Sequence, residues 1–158
     1  MRNLLNRLLV TFFYSGLSPW APGTAGSAAA FVVGVVILQT LGAETLFMAT
    51  FGAIVLGVFE TDVYQAKTGV QDPKEVVIDE VAGMWLAMLI VPVGWLWWGL
   101  TFGFFRLYDI WKPSVIGRID RKFKNGLGVM LDDLMAGALA AISVYAVQKG
   151  LAMAGYLG

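Results

Sequence analysis

The sequence predicts an all-α fold: a polytopic membrane helical bundle of about five transmembrane helices, preceded by an N-terminal amphipathic interfacial helix. Three observations predict it. Of 158 residues, 58% are hydrophobic and 14% charged, with a mean hydropathy of +0.73, whereas a soluble domain is about half apolar and about a quarter charged. The apolar residues gather in runs long enough to cross hydrocarbon, divided by short turns rich in Gly and Pro. Ten of the eleven Lys and Arg fall in segments that such a bundle leaves on one side of the bilayer. Residues 1–158 are read as one domain.

In chain order, residues 1–14 place Arg2, Asn3, Asn6 and Arg7 on one helical face and Leu4, Leu5, Leu8, Leu9 and Phe12 on the other, the pattern of a helix lying in the interface. Arg2 and Arg7 resemble the start of a signal peptide, but the apolar run 8–13 is too short for one, and none is expected. The turn segment SPWAPGT leads into a first span at 25–40. A tight turn at 41–44, a second span at 45–64 and a polar loop through Lys74 follow. The region 76–107 decides the topology. As one helix of about 30 residues it would be about 45 Å long, against a hydrocarbon slab of about 30 Å. Pro92-Val93-Gly94 breaks it near the middle, giving spans at 74–91 and 95–110. A basic loop then precedes a fifth span at 132–150.

The positive charges test this count independently. With five spans and a cytoplasmic N-terminus, Arg2, Arg7, Lys67, Lys74, Arg106, Lys112, Arg118, Arg121, Lys122 and Lys124 all fall on the cytoplasmic side, leaving only Lys149 near the other. Four spans would export the most basic loop of the chain.

Composition also excludes chemistries. The formal net charge is zero, so no global case for nucleic-acid binding exists. The chain has no Cys and no His, which removes disulfides, thiolate catalysis, phosphohistidine and the usual zinc sites. Carboxylates remain, and their natural companion is a hard cation such as Mg²⁺.

Acids interrupt apolar sequence at two places, Asp79–Glu80 in VVIDEVAGMW and Asp132–Asp133 in VMLDDLMAG. Charge within a membrane segment is costly and marks function by default. Each pair opens a span, where free N–H groups and the helix dipole stabilise carboxylates. Capping accounts for one acid in each pair; neighbours about 100° apart on a helix leave the other facing the bundle, for a metal or for catalysis. Arg106 and Asp109 share a helix face, with Lys112-Pro113 marking the helix end. They form either an intrahelical ion pair or, with Lys112, a site for a phosphate ester. The segment Gly23-Thr24-Ala25-Gly26-Ser27 begins a helix and either admits an anion to backbone N–H groups or allows close packing; it lacks the lysine of a P-loop. Asn125-Gly126-Leu127-Gly128 reads as a flexible turn before the fifth span. Trp85, Trp95, Trp97, Trp98 and Trp111 read as packing or interface anchors, and Glu60, Asp62 and Asp72 as solvated loop charges.

Taken together and in order, GLSPWAPGTAGS, DPKEVVIDEVAGMW, FRLYDIWKP and GLGVMLDDLMAG closely resemble the phosphatidylglycerophosphatase A family over residues 16–140. The resemblance implies a Mg²⁺-dependent phosphatase of the bacterial inner (cytoplasmic) membrane, with its active site on the cytoplasmic side. Such an enzyme removes the terminal phosphate of phosphatidylglycerophosphate to leave phosphatidylglycerol, and it is distinct from lipid phosphatases that work through histidine. By motif, it implies catalytic Asp79, Glu80, Asp109, Asp132 and Asp133. Of these, Asp79, Glu80, Asp132 and Asp133 would hold one or two Mg²⁺ ions. Arg106, Lys112, Gly23, Thr24, Gly26 and Ser27 would serve the phosphate. The one departure is Leu127, which separates Gly126 from Gly128 where the family often has adjacent glycines. Attack by a metal-activated water and attack by a carboxylate both stay open. Two rivals are a CDP-alcohol-type phosphotransferase, whose DG-x-x-AR signature is absent, and a carboxylate-based cation transporter, which would place its acids at the midplane. The small-residue faces allow a homo-oligomer.

Overall fold

A computed structural model describes residues 2–70, 73–113 and 125–156. Six α-helices follow one another: α1 (Arg2–Val10), α2 (Pro22–Thr40), α3 (Ala43–Thr68), α4 (Ile78–Ile90), α5 (Trp95–Trp111) and α6 (Gly126–Met153). A 3-10 turn at Ser15–Leu17 links α1 to α2, and the described residues include no strand. Asp72 and the basic segment carrying Arg118, Arg121, Lys122 and Lys124 lie outside the described residues.

Local chemistry sets the boundaries. Pro22 starts α2, where its missing N–H costs nothing. Only Leu41 and Gly42 separate α2 from α3, and Gly42 takes φ +90, which glycine adopts freely. The break at Pro92–Gly94 falls between α4 and α5 as expected. Three helices, α2, α3 and α6, are long and apolar enough to cross a membrane. The other two expected spans form α4, of 13 residues, and α5, of 17. At 1.5 Å per residue they rise about 20 and about 26 Å, less than the full slab of about 30 Å.

Helix α4 is the hub. It packs against α2, α3, α5 and α6, and Ile78 through Trp85, then Ala87 and Met88, are all buried. Trp85 donates its indole N–H to the Ala30 carbonyl of α2 at 2.7 Å. Trp98 is buried in the same core, packing as expected, whereas Trp95 and Trp111 are exposed. Outward faces of α2 and α3 carry Val32, Val36, Phe47, Phe51 and Phe59, a surface suited to lipid.

Three expectations are corrected. Helix α4, the expected third span, begins at Ile78 and α6 at Gly126, so Asp132–Asp133 lie nearly two turns inside α6 and do not cap it. Asn125 is the cap: its side-chain oxygen accepts the Gly128 N–H at 3.1 Å, and residues 126–128 are helix, not flexible turn. Glu60 and Asp62 belong to α3, not to a solvated loop. Glu60 accepts from the Asn6 side chain at 2.6 Å, and Asp62 accepts the Gly126 N–H at 2.6 Å. Helix α1 is amphipathic but stops at Val10, because Phe12, Phe13 and Tyr14 enter the left-handed region. Its Asn6 is buried against α3 while Leu4 and Leu5 point outward.

Candidate metal and phosphate site

The starts of α2, α4 and α6 and the end of α5 meet at one end of the bundle. What brings α4 and α6 together is a pair of glycines. A Cβ on Gly83 would stand 2.3 Å from the Asp133 carbonyl oxygen, and one on Gly137 would stand 2.3 Å from the Gly83 carbonyl oxygen. Each glycine follows an aspartate by four residues, Asp79 to Gly83 and Asp133 to Gly137, so each lies one turn below its acid on the same helix face. The backbone crossing therefore sets the two acid pairs side by side.

Asp79, Glu80 and Asp133 are buried, and each offers a carboxylate oxygen such that all three lie within 4.8 Å of one another. Like charges this close repel strongly away from water unless a cation or a proton lies among them. Glu80 Oε2 is buried with no hydrogen-bond partner among the described residues, and a buried acceptor left open is costly. An all-oxygen donor set with an open acceptor fits a hard divalent cation. This buried cluster can hold a metal ion.

Around the cluster opens a cavity of about 220 Å³ whose lining includes Gly23, Lys74, Asp109, Lys112 and Asp132 besides the three acids. Asp132, which sequence placed among the metal ligands, faces the same cavity and receives Lys112 Nζ at 3.3 Å. The expected Arg106–Asp109 pair forms within α5. Arg106 also reaches α2, donating to Ser27 Oγ at 3.1 Å and to Thr24 Oγ1 at 3.2 Å. It borders the cavity from behind Asp109 and Gly23, while Lys112 faces it directly.

The glycine segment resolves toward close approach. A Cβ on Gly23 would meet Glu80 Oε1 at 2.4 Å, and one on Gly26 would meet the Val77 side chain at 2.5 Å. Gly23 thus makes room for a carboxylate of the cluster, and Gly26 lets α2 lie against the start of α4. Ser27 Oγ donates to the Gly23 carbonyl at 2.7 Å, fixing the rotamer that receives Arg106.

Of the residues expected at the site, Gly23, Asp79, Glu80, Asp109, Lys112, Asp132 and Asp133 line the cavity, whereas Thr24, Ser27 and Arg106 stand behind it and Gly26 packs on Val77. Sequence reasoning missed Gly83 and Gly137, although their matching Asp-x-x-x-Gly spacing was a usable signal. It also missed Lys74, read only as a loop charge, which lines the cavity.

Comparison with known proteins identifies the family. The family model described as phosphatidylglycerophosphatase A matches residues 8–148. Phosphatidylglycerophosphatase A of Haemophilus influenzae is 38% identical over 149 residues, covering 92% of this chain and 91% of that protein. The protein of the same name from Escherichia coli is 36% identical over 139 residues, covering 87% and 80%. A Bacteroides thetaiotaomicron protein provisionally named a phosphatidylinositol-3-phosphatase is 36% identical over 144 residues, covering 87% and 89%. No solved structure matches the chain.

Proposed function

The chain belongs to the phosphatidylglycerophosphatase A family and is a phosphatase; from that premise we propose that it hydrolyses phosphatidylglycerophosphate to phosphatidylglycerol and phosphate, using Mg²⁺ held by buried carboxylates. The observation that carries the cation is the convergence of Asp79, Glu80 and Asp133 within 4.8 Å around an unpartnered Glu80 oxygen. Asp79, Glu80 and Asp133 hold the ion, with Asp132 and Asp109 completing the acidic wall. When bound, a divalent cation neutralises these carboxylates and draws off charge that develops on the phosphoryl oxygens.

The chain's own residues supply the rest. Lys112, half exposed beside buried Asp132, presents an ammonium group to a phosphate entering the cavity. Arg106 holds Asp109 and the Thr24–Ser27 turn, so that Gly23 stays against Glu80 and guanidinium charge borders the phosphate. Water supplies the oxygen that ends on phosphorus, either by direct attack or after a carboxylate has taken the phosphoryl group, while the bond to the glycerol oxygen breaks and that oxygen takes up a proton and leaves attached to its lipid. The diacyl chains need not leave the bilayer, which accounts for a phosphatase built on apolar helices. The chain crosses the cytoplasmic membrane five times, with its N-terminus and active site inside, because this orientation keeps nearly all Lys and Arg in the cytoplasm. Helices shorter than the slab are accommodated by local bilayer thinning.

The test is phosphate release from phosphatidylglycerophosphate in detergent micelles, with Mg²⁺ and with EDTA. Release that EDTA abolishes and Mg²⁺ restores is expected. Undiminished release in EDTA would remove the metal from the reading. Metal uptake into vesicles without phosphate release from any lipid would favour a transporter.

A further inference from the structure

Lys74 stands where two depressions meet. It lines the acid cavity, and together with Pro22 it also lines a neighbouring groove formed with Leu17, Ser18, Pro19 and Glu75. The groove is firmly built: a Cβ on Gly16 would fall 2.2 Å from the Glu75 carbonyl oxygen, so the turn before α2 lies directly on the backbone beside Lys74. Glu75, the only acid among the described residues lining the groove, turns its carboxylate to Tyr64, whose hydroxyl it accepts at 3.1 Å. The Lys74 side chain is exposed and makes no ion pair among the described residues. Trp20, beside the groove in sequence, is 94% exposed, and tryptophan of this kind settles at headgroup depth. Leu4 and Leu5 of the interfacial α1 are also exposed.

A groove that offers the Lys74 ammonium group beside an exposed tryptophan, continuous with the acid cavity, matches a substrate with two phosphates. We infer that Lys74 is a specificity-determining residue that binds the phosphodiester joining the headgroup to diacylglycerol, while the terminal monoester occupies the acid cavity. This inference rests on the phosphatase reading above and deepens it. It means that lipids with a phosphodiester behind the monoester are favoured over phosphatidic acid, whose single phosphate sits directly on diacylglycerol.

The experiment measures kcat and KM of wild type, Lys74→Ala and Lys74→Arg on phosphatidylglycerophosphate and on phosphatidic acid in the same mixed micelles, with thermal unfolding as a check on folding. For Lys74→Ala, kcat/KM on phosphatidylglycerophosphate should fall about tenfold, mainly through KM, the size expected for one charge-assisted contact. The loss on phosphatidic acid should be far smaller, Lys74→Arg should restore most of the activity, and raising the salt should narrow the difference between wild type and Lys74→Ala. Equal losses on both lipids, or no loss on either, in a folded variant would overturn the Lys74 assignment while leaving the phosphatase reading intact. Failure of the wild type to release phosphate from either lipid would overturn both.

Discussion

The two acid pairs, Asp79–Glu80 and Asp132–Asp133, face one cavity but stand at different depths in their helices. The first occupies the opening turn of α4, where N–H groups unused by the helix favour negative charge. The second lies nearly two turns inside α6, whose N-terminus is already capped by Asn125, so the surrounding N–H groups belong to the helix. Local backbone thus helps to explain the first pair and does little for the second. Burying Asp132 and Asp133 calls for positive charge brought from elsewhere. Lys112 reaches Asp132, whereas Asp133 joins Asp79 and Glu80 in the trio with metal-ligand geometry. The difference makes Asp133 the more telling of the carboxylates: helix geometry gives no reason for a charge at that position.

That comparison can be broken most sharply by neutralising the acids one at a time. Asp79→Asn and Asp133→Asn should each lower Mg²⁺-dependent phosphate release about a hundredfold or more, since both remove a proposed ligand. Asp132→Asn, which loses a partner that is itself half exposed, should cost about tenfold or less. Equal losses at Asp132 and Asp133 would erase the proposed division of labour. Thermal shifts with added Mg²⁺ supply a second readout: wild type should be stabilised by an ion that binds only the folded state, and Asp133→Asn should lose that response.

A smaller effect probes the crossing that joins the pairs. Gly137→Ala adds a methyl where the Gly83 carbonyl oxygen leaves no room, and overpacking of this kind costs about 1–3 kcal/mol. Unfolding in detergent should shift accordingly, with a weakened Mg²⁺ response, whereas Gly99→Ala, which has nothing within 4 Å, should change neither. A normal Mg²⁺ response in Gly137→Ala would mean that the crossing does not position the acids. Smallest of all, Asn125→Ala should cost about 1 kcal/mol through loss of the cap and leave activity per folded molecule as it was. A large loss of activity there would show that the α6 start also serves the substrate.

Much of this molecule was legible in the sequence. The break at Pro92–Gly94, the turn at Leu41–Gly42 and the Arg106–Asp109 pair depend on residues close in the chain, and each formed where the local pattern placed it. The errors share a cause. Asn6 resembled a solvent-facing residue of an interfacial helix, but Glu60, 54 residues away, turned it inward. Asp62 resembled a loop charge because nothing nearby announced that it would receive the Gly126 N–H. The α6 start was placed late because glycines at 126 and 128 resemble a turn, whereas packing against α3 makes them helical: a Cβ on Gly126 would strike the Val58 carbonyl oxygen at 2.3 Å.

By itself the sequence determined that the chain is helical and apolar, that it has neither His nor Cys, and in which motifs its carboxylates gather. Hydropathy, breaks and residue types are properties of short segments, and they do not wait for folding. Only the tertiary structure decided which oxygens meet. That depended on the Gly83–Gly137 crossing, on Gly23 yielding space to Glu80, and on Lys112 turning toward Asp132. Each of these joins residues from different helices, and the direction of a side chain across a helix contact is set by the partner it packs against.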